Sequence, residues 1–371
     1  MRTVGIIAEF NPLHPGHVEH INESRRISGA RNVIAVMSGN FVQRGEPAIE
    51  DKWFRTREAL LHGVDIVIEL PVCYPLCGAD YFARGAVALL EKTTLVDAIS
   101  FGSECGDIDS ITKAAVMLAA EPDVFKSVLK EKLCLGFSFA AARGFALHAC
   151  LPDSPEGLFT RPNNGLGIEY VKALKLLGSK TEVFTTHRQP GGPSATRLRK
   201  EMLDGEMAHG THNRYARLDD FSDIFRYLLF TKKDLCLGEG LENRFRKFAG
   251  DNKKISDIIE AVKTKRYTHT RLQRAVLRTV LGLQNQCGEP GYIRVLGFRK
   301  ESAALLGRLA VNAKLPVITT GRRIDEVLSK GGEAADMLKK ELEAGDVYRI
   351  ATGAKGGFLS ERGTGVVVVD G

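Results

Sequence analysis

Two histidines three residues apart, His14 and His17, are the residues of this chain best placed to do chemistry. They lie in the loop Glu9-Phe10-Asn11-Pro12-Leu13-His14-Pro15-Gly16-His17, between the strand-length apolar run Thr3-Val-Gly-Ile-Ile-Ala8 and a helical pattern through Val18, Ile21 and Ile27. Strand, tight loop and helix in that order put both imidazoles at a helix N-terminus. Free backbone N–H groups and the positive end of the helix dipole attract an anion there, and a phosphate fits best. Taken alone, the pair also reads as loop histidines that hydrogen-bond backbone groups. A metal pair is the weaker option, because no second cluster of Cys, His or carboxylates at ligand spacing accompanies it.

A second stretch favours the phosphate. Ser194-Ala195-Thr196-Arg197-Leu198-Arg199 follows the Gly- and Pro-rich loop that begins at His187-Arg188-Gln189. Ser194 or Thr196 can cap a helix reaching position 204, while Arg199 falls roughly one turn further in, so hydroxyls, N–H groups and a guanidinium can converge on one phosphate. A capped helix with solvated arginines is the competing reading of this segment by itself.

The elements that must hold these residues alternate. Apolar runs at 32–37, 64–70, 98–101 and 181–186 read as strands, separated by helical patterns at 51–62, 79–92 and 168–177. This order predicts a doubly wound parallel α/β sheet with its ligand at the carboxyl ends of the strands. Loops after Ala8, Met37 and Phe101 then share one rim. Gly102 can allow close approach of a nucleotide or be a turn glycine. Asn163 and Asn164 can cap a helix or offer amides to a base or ribose. The helices expected at 109–149 carry no recognisable chemistry.

The chain has 371 residues, 44% of them hydrophobic, enough for a packed core in two domains or one large one. It has no signal-peptide pattern and no apolar run approaching the roughly 20 residues that span a bilayer, so no membrane partner is expected and a cytoplasmic location is the default. Seven cysteines, at 73, 77, 105, 134, 150, 236 and 287, are odd in number and thinly spread, and reduced thiols are expected. The net charge of +7 and pI of 9.0 permit a nucleic-acid partner. From position 219 helical patterns dominate, and basic residues crowd the stretch 241–280, among them Arg244, Lys265, Arg266, Arg271 and Arg274. Phe245, Phe248, Tyr267 and His269 interleave with them, as on a surface that holds an RNA backbone and stacks on a base; a solvated helical face over core aromatics is the alternative. A small α/β element, with strands at 292–298 and 316–319, closes the chain.

Asn-Pro-Leu-His-Pro-Gly-His at 11–17 and Ser-Ala-Thr-Arg-Leu-Arg at 194–199 resemble the two signatures of the nucleotidyltransferase superfamily with the His-x-Gly-His loop. Further segments extend the likeness: Met-Ser-Gly-Asn-Phe-Val-Gln-Arg-Gly-Glu-Pro-Ala at 37–48, Val-Ile-Glu-Leu-Pro at 67–71, Phe-Gly-Ser-Glu at 101–104, Pro-Asn-Asn at 162–164, Tyr-Thr-His-Thr-Arg at 267–271 and Arg-Val-Leu-Gly-Phe at 294–298. In this order they resemble the bacterial tRNA(Met) cytidine acetate ligase family over nearly the whole chain. Pro15 stands where that family commonly has Asn and Leu13 where Phe is common, and the segment after Asp346 matches poorly.

The resemblance implies an ATP-dependent ligase that activates acetate as acetyl-adenylate and transfers acetyl to the wobble cytidine of elongator tRNA(Met). It implies an ATP-binding, catalytic domain at 1–205 and a tRNA-binding region at 206–371. His14, His17, Ser194, Thr196 and Arg199 would be catalytic, with magnesium as the ATP complex. The ATP-binding segment would run through Ile7, Ala8, Glu9, Phe10, Asn11, Pro12, Leu13, His14, Pro15, Gly16, His17, Val18, Glu19 and His20. Gly102, Asn163 or Asn164, Arg188 and Gln189 would add contacts. A coenzyme-type nucleotidyltransferase is the nearest rival enzyme, and a non-catalytic RNA-binding protein the rival from another class.

Overall fold

The computed structural model describes residues 1–188, 195–205, 215–232, 235–238, 240–265, 267–283, 287–353 and 361–370. Ser194, Gln189 and Arg266 lie outside these residues. The strands are β1 (Thr3–Ala8), β2 (Asn32–Ser38), β3 (Phe41–Val42), β4 (Glu46–Pro47), β5 (Ile66–Leu70), β6 (Ala98–Ser103), β7 (Glu182–His187), β8 (Ile293–Arg299), β9 (Val317–Ile318) and β10 (Val367–Val369). All but β3 and β4 join one sheet in the order β10-β8-β5-β2-β1-β6-β7, with β9 on β8, while β3 and β4 form a short hairpin.

The five strands from β5 to β7 pair in parallel, as the alternation of strands and helices predicts. Side chains of a strand alternate between faces, and both faces are covered here. Val33, Ala35 and Met37 of β2 pack with Ile21, Ala59 and Leu60 from the helices Pro15–Ser28 and Lys52–Leu61. Ile34 and Val36 point the other way, into a core built with the helices Ala79–Thr93, Ile108–Ala120 and Pro162–Leu176. The strand order reverses direction at β1, between β2 and β6, the point above which a doubly wound sheet leaves its ligand crevice.

The terminal α/β element expected at 292–319 does not stand apart. Its strand β8 runs antiparallel to β5, pairing Ile66 with Phe298 and Val67 with Gly297, and brings β9 and β10 onto the same sheet. Nothing local in the sequence marks a partner strand more than two hundred positions earlier. The helices Ser222–Thr231, Leu241–Ala249, Ile255–Val262 and His269–Val280 surround a second core of Phe221, Phe225, Phe245, Ile258, Ile259 and Leu272. Phe41, Val72 and Leu76 from the sheet side enter it too. No described helix is long and apolar enough to cross a membrane.

A buried charge cluster ties the two parts together. Lys52 Nζ lies 2.5 Å from Glu69 and also pairs with Glu361, while Arg294 spans Glu69 and Glu361 at 3.0 Å each. Glu341, from the long helix Gly332–Thr352, accepts the Val72 N–H and lies beside Glu69. Burial and the Glu69 charge push its pKa well above its ordinary value, favouring the protonated form. Two cations then balance two carboxylates. Removing one charge strands another, whereas replacing the protonated carboxyl by an amide does not. Lys52→Met is expected to lower unfolding free energy by about 3–5 kcal/mol and Glu341→Gln by less than about 1 kcal/mol, measured by urea denaturation. Equal losses would contradict the charge assignment.

Candidate active site

The carboxyl end of β1 feeds directly into the histidine loop. Phe10 takes a left-handed φ of 45° and buries its ring against His17, edge to face with centroids 5.3 Å apart. Asn11 fastens the loop by accepting the Ile49 N–H at 2.8 Å on its side-chain oxygen. Arg55, fully buried, donates to the carbonyls of Glu9 at 2.6 Å and Ser38 at 3.1 Å and to that of Gly39. One guanidinium thereby joins the ends of β1 and β2. No local pattern singles Arg55 out from Arg57 on the same solvated-looking helix.

His14 is the N-cap residue of Pro15–Ser28 and only 3% exposed. Its N–H donates to His17 Nδ1 at 3.3 Å, and the two rings stack with centroids 3.8 Å apart. Neither ring nitrogen of His14 meets a hydrogen-bond partner among the described residues. One turn on, His20 Nδ1 bonds Thr186 Oγ1 at 2.8 Å. Burial, then the nearby Arg188 charge, pushes His14 and His20 down to about 4. His17 falls well below its ordinary value, through burial first and then His14, Arg188 and His20. All three imidazoles are therefore neutral at pH 7.

The other rim loops converge here. Arg188 lies across Gly102, where a Cβ would stand 3.0 Å from its side-chain carbons, a contact tight enough that Arg188 would have to shift. Arg188 N–H bonds Ser103 O at 2.8 Å, and its guanidinium meets Asn163 Oδ1 at 3.4 Å. The Asn pair divides its work. Asn164 is buried, accepting the N–H groups of Glu104 and Cys105 and donating to Gly157 O. Glu104 in turn accepts the N–H groups of both asparagines at the helix N-terminus. Asn164 is a clamp, and half-buried Asn163 is the one turned to the crevice with Arg188.

The downstream arm reaches the loop through Arg199, which donates to Asn11 O at 2.7 Å and lies 3.8 Å from Glu46. Thr196 is exposed in the first turn of the helix Ala195–Leu203 and accepts from Arg199 at 3.3 Å, so it does not cap that helix. Among the described residues, no group of three or more His, Cys, Asp or Glu side chains is arranged to hold a metal ion.

The basic stretch proves mixed. Arg244 and Lys265 are exposed, and Arg271 lies over the Tyr267 ring at 5.2 Å. Arg274 instead donates to Gln43 O at 3.1 Å and packs its backbone against Gly45, whose φ of 81° suits that close approach. Phe245 is not a stacking platform: it is buried in the helical core against Phe225, 5.6 Å between centroids. His269 pairs with Glu260 at 3.3 Å.

Imidazole nitrogens that are buried at a helix N-terminus near Arg188 and lack partners among the described residues suit a polyphosphate, and on a mostly parallel sheet that combination fits a nucleotidyl transferase. The HIGH Nucleotidyl Transferase family matches residues 1–358. Curated relatives include the tRNA(Met) cytidine acetate ligases of Thermoanaerobacter sp. strain X514, 38% identical with 95% of this chain and 96% of that protein covered, and of Caldanaerobacter subterraneus subsp. tengcongensis, 39% identical with 95% and 96% covered. A solved structure of Thermotoga maritima TmcAL bound with alpha-thio ATP superposes with a TM-score of 0.90 at 30% identity, covering both chains fully. The chain belongs to the tRNA(Met) cytidine acetate ligase family.

The histidines also dictate a pH response. Their folded pKa values lie below the ordinary 6.5, so the unfolded chain binds more protons between that value and about 4. Stability is therefore lost as pH falls through this window. The urea midpoint is expected to drop between pH 7 and pH 5, and to drop less in His14→Asn. An equal drop in both proteins would contradict the burial of a neutral His14.

Proposed function

We propose that the protein activates acetate with ATP as acetyl-adenylate and transfers the acetyl group to the wobble cytidine of elongator tRNA(Met), forming N-acetylcytidine. The observation that carries this reading is His14, a buried donor at a helix N-terminus whose ring has no hydrogen-bond partner among the described residues. An unpaired buried polar group costs stability unless a ligand completes it. Acetate attacks the α-phosphorus and pyrophosphate leaves, so the site must stabilise charge on phosphate oxygens rather than supply a nucleophile. His14 and His17 would hold the α- and β-phosphates. Arg199, with Ser194 and Thr196, would hold the β- and γ-phosphates, and Asn163, Arg188, Gln189 and Gly102 would complete the nucleotide site. Magnesium, as the ATP complex, would share the phosphate charge.

In this reading residues 1–205 activate acetate and the region 206–371 docks the tRNA, although β8, β9 and β10 return to the catalytic sheet. Exposed Arg244 and Lys265, with Arg271 and Arg266, would meet its phosphates. The helical half disfavours a coenzyme-type nucleotidyltransferase, which would not need it. A non-catalytic RNA-binding protein would leave the His14 niche without purpose.

Acetate-dependent exchange of pyrophosphate into ATP tests the first half. His14→Ala and His17→Ala are each expected to reduce it at least ~100-fold with tRNA affinity nearly intact, since removing one preorganised donor costs about that much. Wild-type exchange in both variants would refute the phosphate assignment. For docking, Arg244→Ala/Lys265→Ala is expected to make the slope of log affinity against log salt shallower by about 1–2. An unchanged slope would mean that this face is merely solvated.

A further inference from the structure

Transfer needs something that activation does not. When the cytidine amine becomes an amide it loses a proton, and neutral histidines committed to phosphates are poorly placed to take it. The geometry points to Glu9 as the general base of the transfer step, its carboxylate accepting a proton from the exocyclic amine of the acceptor cytidine. This rests on the ligase reading above and adds a role that activation does not require.

Glu9 is the first residue beyond β1, at the point where the strand order reverses. Its side chain reaches toward β2 and the hairpin β3-β4. His20, Arg188 and Asn163 lie toward β6 and β7, whereas Glu9 Oε1 accepts from Ser38 Oγ at the end of β2 (3.0 Å) and from the Gln43 N–H (2.7 Å). Gln43 also passes its carbonyl to Arg274 of the helix His269–Val280, and Glu46 in the same hairpin meets Gln273 at 3.4 Å. The carboxylate thus stands beside the seam where an RNA held by the basic helices would reach the crevice.

The remaining oxygen is available. Two donors fix Oε1, and Oε2 accepts no hydrogen bond from any described residue. The other acids of the rim are engaged, Glu104 by two N–H groups and Glu46 by Arg199 and Gln273. Tyr170, facing Glu9 from the helix Pro162–Leu176, has its hydroxyl pKa raised by burial and by Glu9, and cannot serve as a base. Burial also raises the Glu9 pKa, against the opposing pull of the Gln43 N–H, Ser38, Arg55 and Arg199. A carboxylate whose pKa is raised is the better proton acceptor in its ionised form.

The step balances without a further reagent. The amine lone pair forms the N–C bond to the acetyl carbon. The carbon–oxygen bond to the adenylate phosphate breaks, and its electron pair leaves with AMP. One proton passes from nitrogen to Glu9 and then to solvent.

The test uses the full-length protein with MgATP, labelled acetate and tRNA(Met), following both acetate-dependent pyrophosphate exchange and single-turnover acetyl transfer. Glu9 also lies in the expected ATP-binding loop, so in Glu9→Gln exchange is expected to fall, and transfer to fall a further ~100-fold or more beyond it, the range for loss of a general base. Glu9→Asp should recover part of the transfer rate. Wild-type transfer should rise with pH to a plateau as Glu9 ionises, and the residual rate of Glu9→Gln should lack that limb. Exchange and transfer falling by the same factor, or a pH limb that persists in Glu9→Gln, would overturn the assignment. A wild-type transfer rate independent of pH across the acidic range would overturn it too, without relying on any variant. A wild-type protein that exchanges pyrophosphate but never labels tRNA would instead remove the ligase reading on which the role of Glu9 depends.

Discussion

Keeping an imidazole neutral, buried and without a hydrogen-bond partner among the described residues at a helix N-terminus is the constraint that the rest of the structure serves. Left to itself His14 would turn outward to water, and its loop is short enough to let it. Asn11 bound to the Ile49 N–H, Phe10 wedged against His17 and Arg55 bonded to the carbonyls of Glu9 and Ser38 prevent that. Each cost is of a recognised kind: a left-handed aromatic residue, a fully buried arginine and a desolvated histidine stack. They are localised at one rim of the sheet, where a triphosphate would supply the missing partners.

The second half of the molecule is attached where the first needs it. The cluster of Lys52, Glu69, Arg294, Glu341 and Glu361 fixes β5 to β8 and to the long terminal helix, and Tyr348 of that helix donates to Ala48 O at 2.8 Å. Asn11, Ala48, Ile49 and Lys52 all lie within or beside the segment that steadies the histidine loop. Docking of the helical half and preorganisation of the nucleotide site are thus linked through one stretch of chain. The hairpin β3-β4 repeats the link on the crevice side, holding Glu9 through Gln43 and touching Arg199 through Glu46.

Much of this was legible in the sequence because it is local. The loop from Asn11 to His17 announces itself by composition, and strand-length apolar runs separated by helical patterns leave few alternatives to a parallel sheet. What escaped depends on long-range pairing. Strand β8 looks like any apolar run and gives no sign that it joins β5 in reverse. Arg274 has the charge and spacing of an RNA-binding arginine, and only the fold shows it bonded to Gln43 O. Phe245 interleaves with basic residues because one helix face is core and the other is not. The Asn pair could not be divided until Glu104 appeared as the partner of both backbone N–H groups.

The central claim is that one crevice activates acetate and delivers it to a cytidine carried by the basic helices. The most direct measurement incubates the protein with ATP, magnesium, radiolabelled acetate and bulk bacterial tRNA, then digests the recovered RNA to nucleosides. The account predicts label in N-acetylcytidine, dependent on ATP and confined to tRNA(Met). Label absent from RNA while ATP is still cleaved, or label in a small-molecule adenylyl product alone, would contradict it.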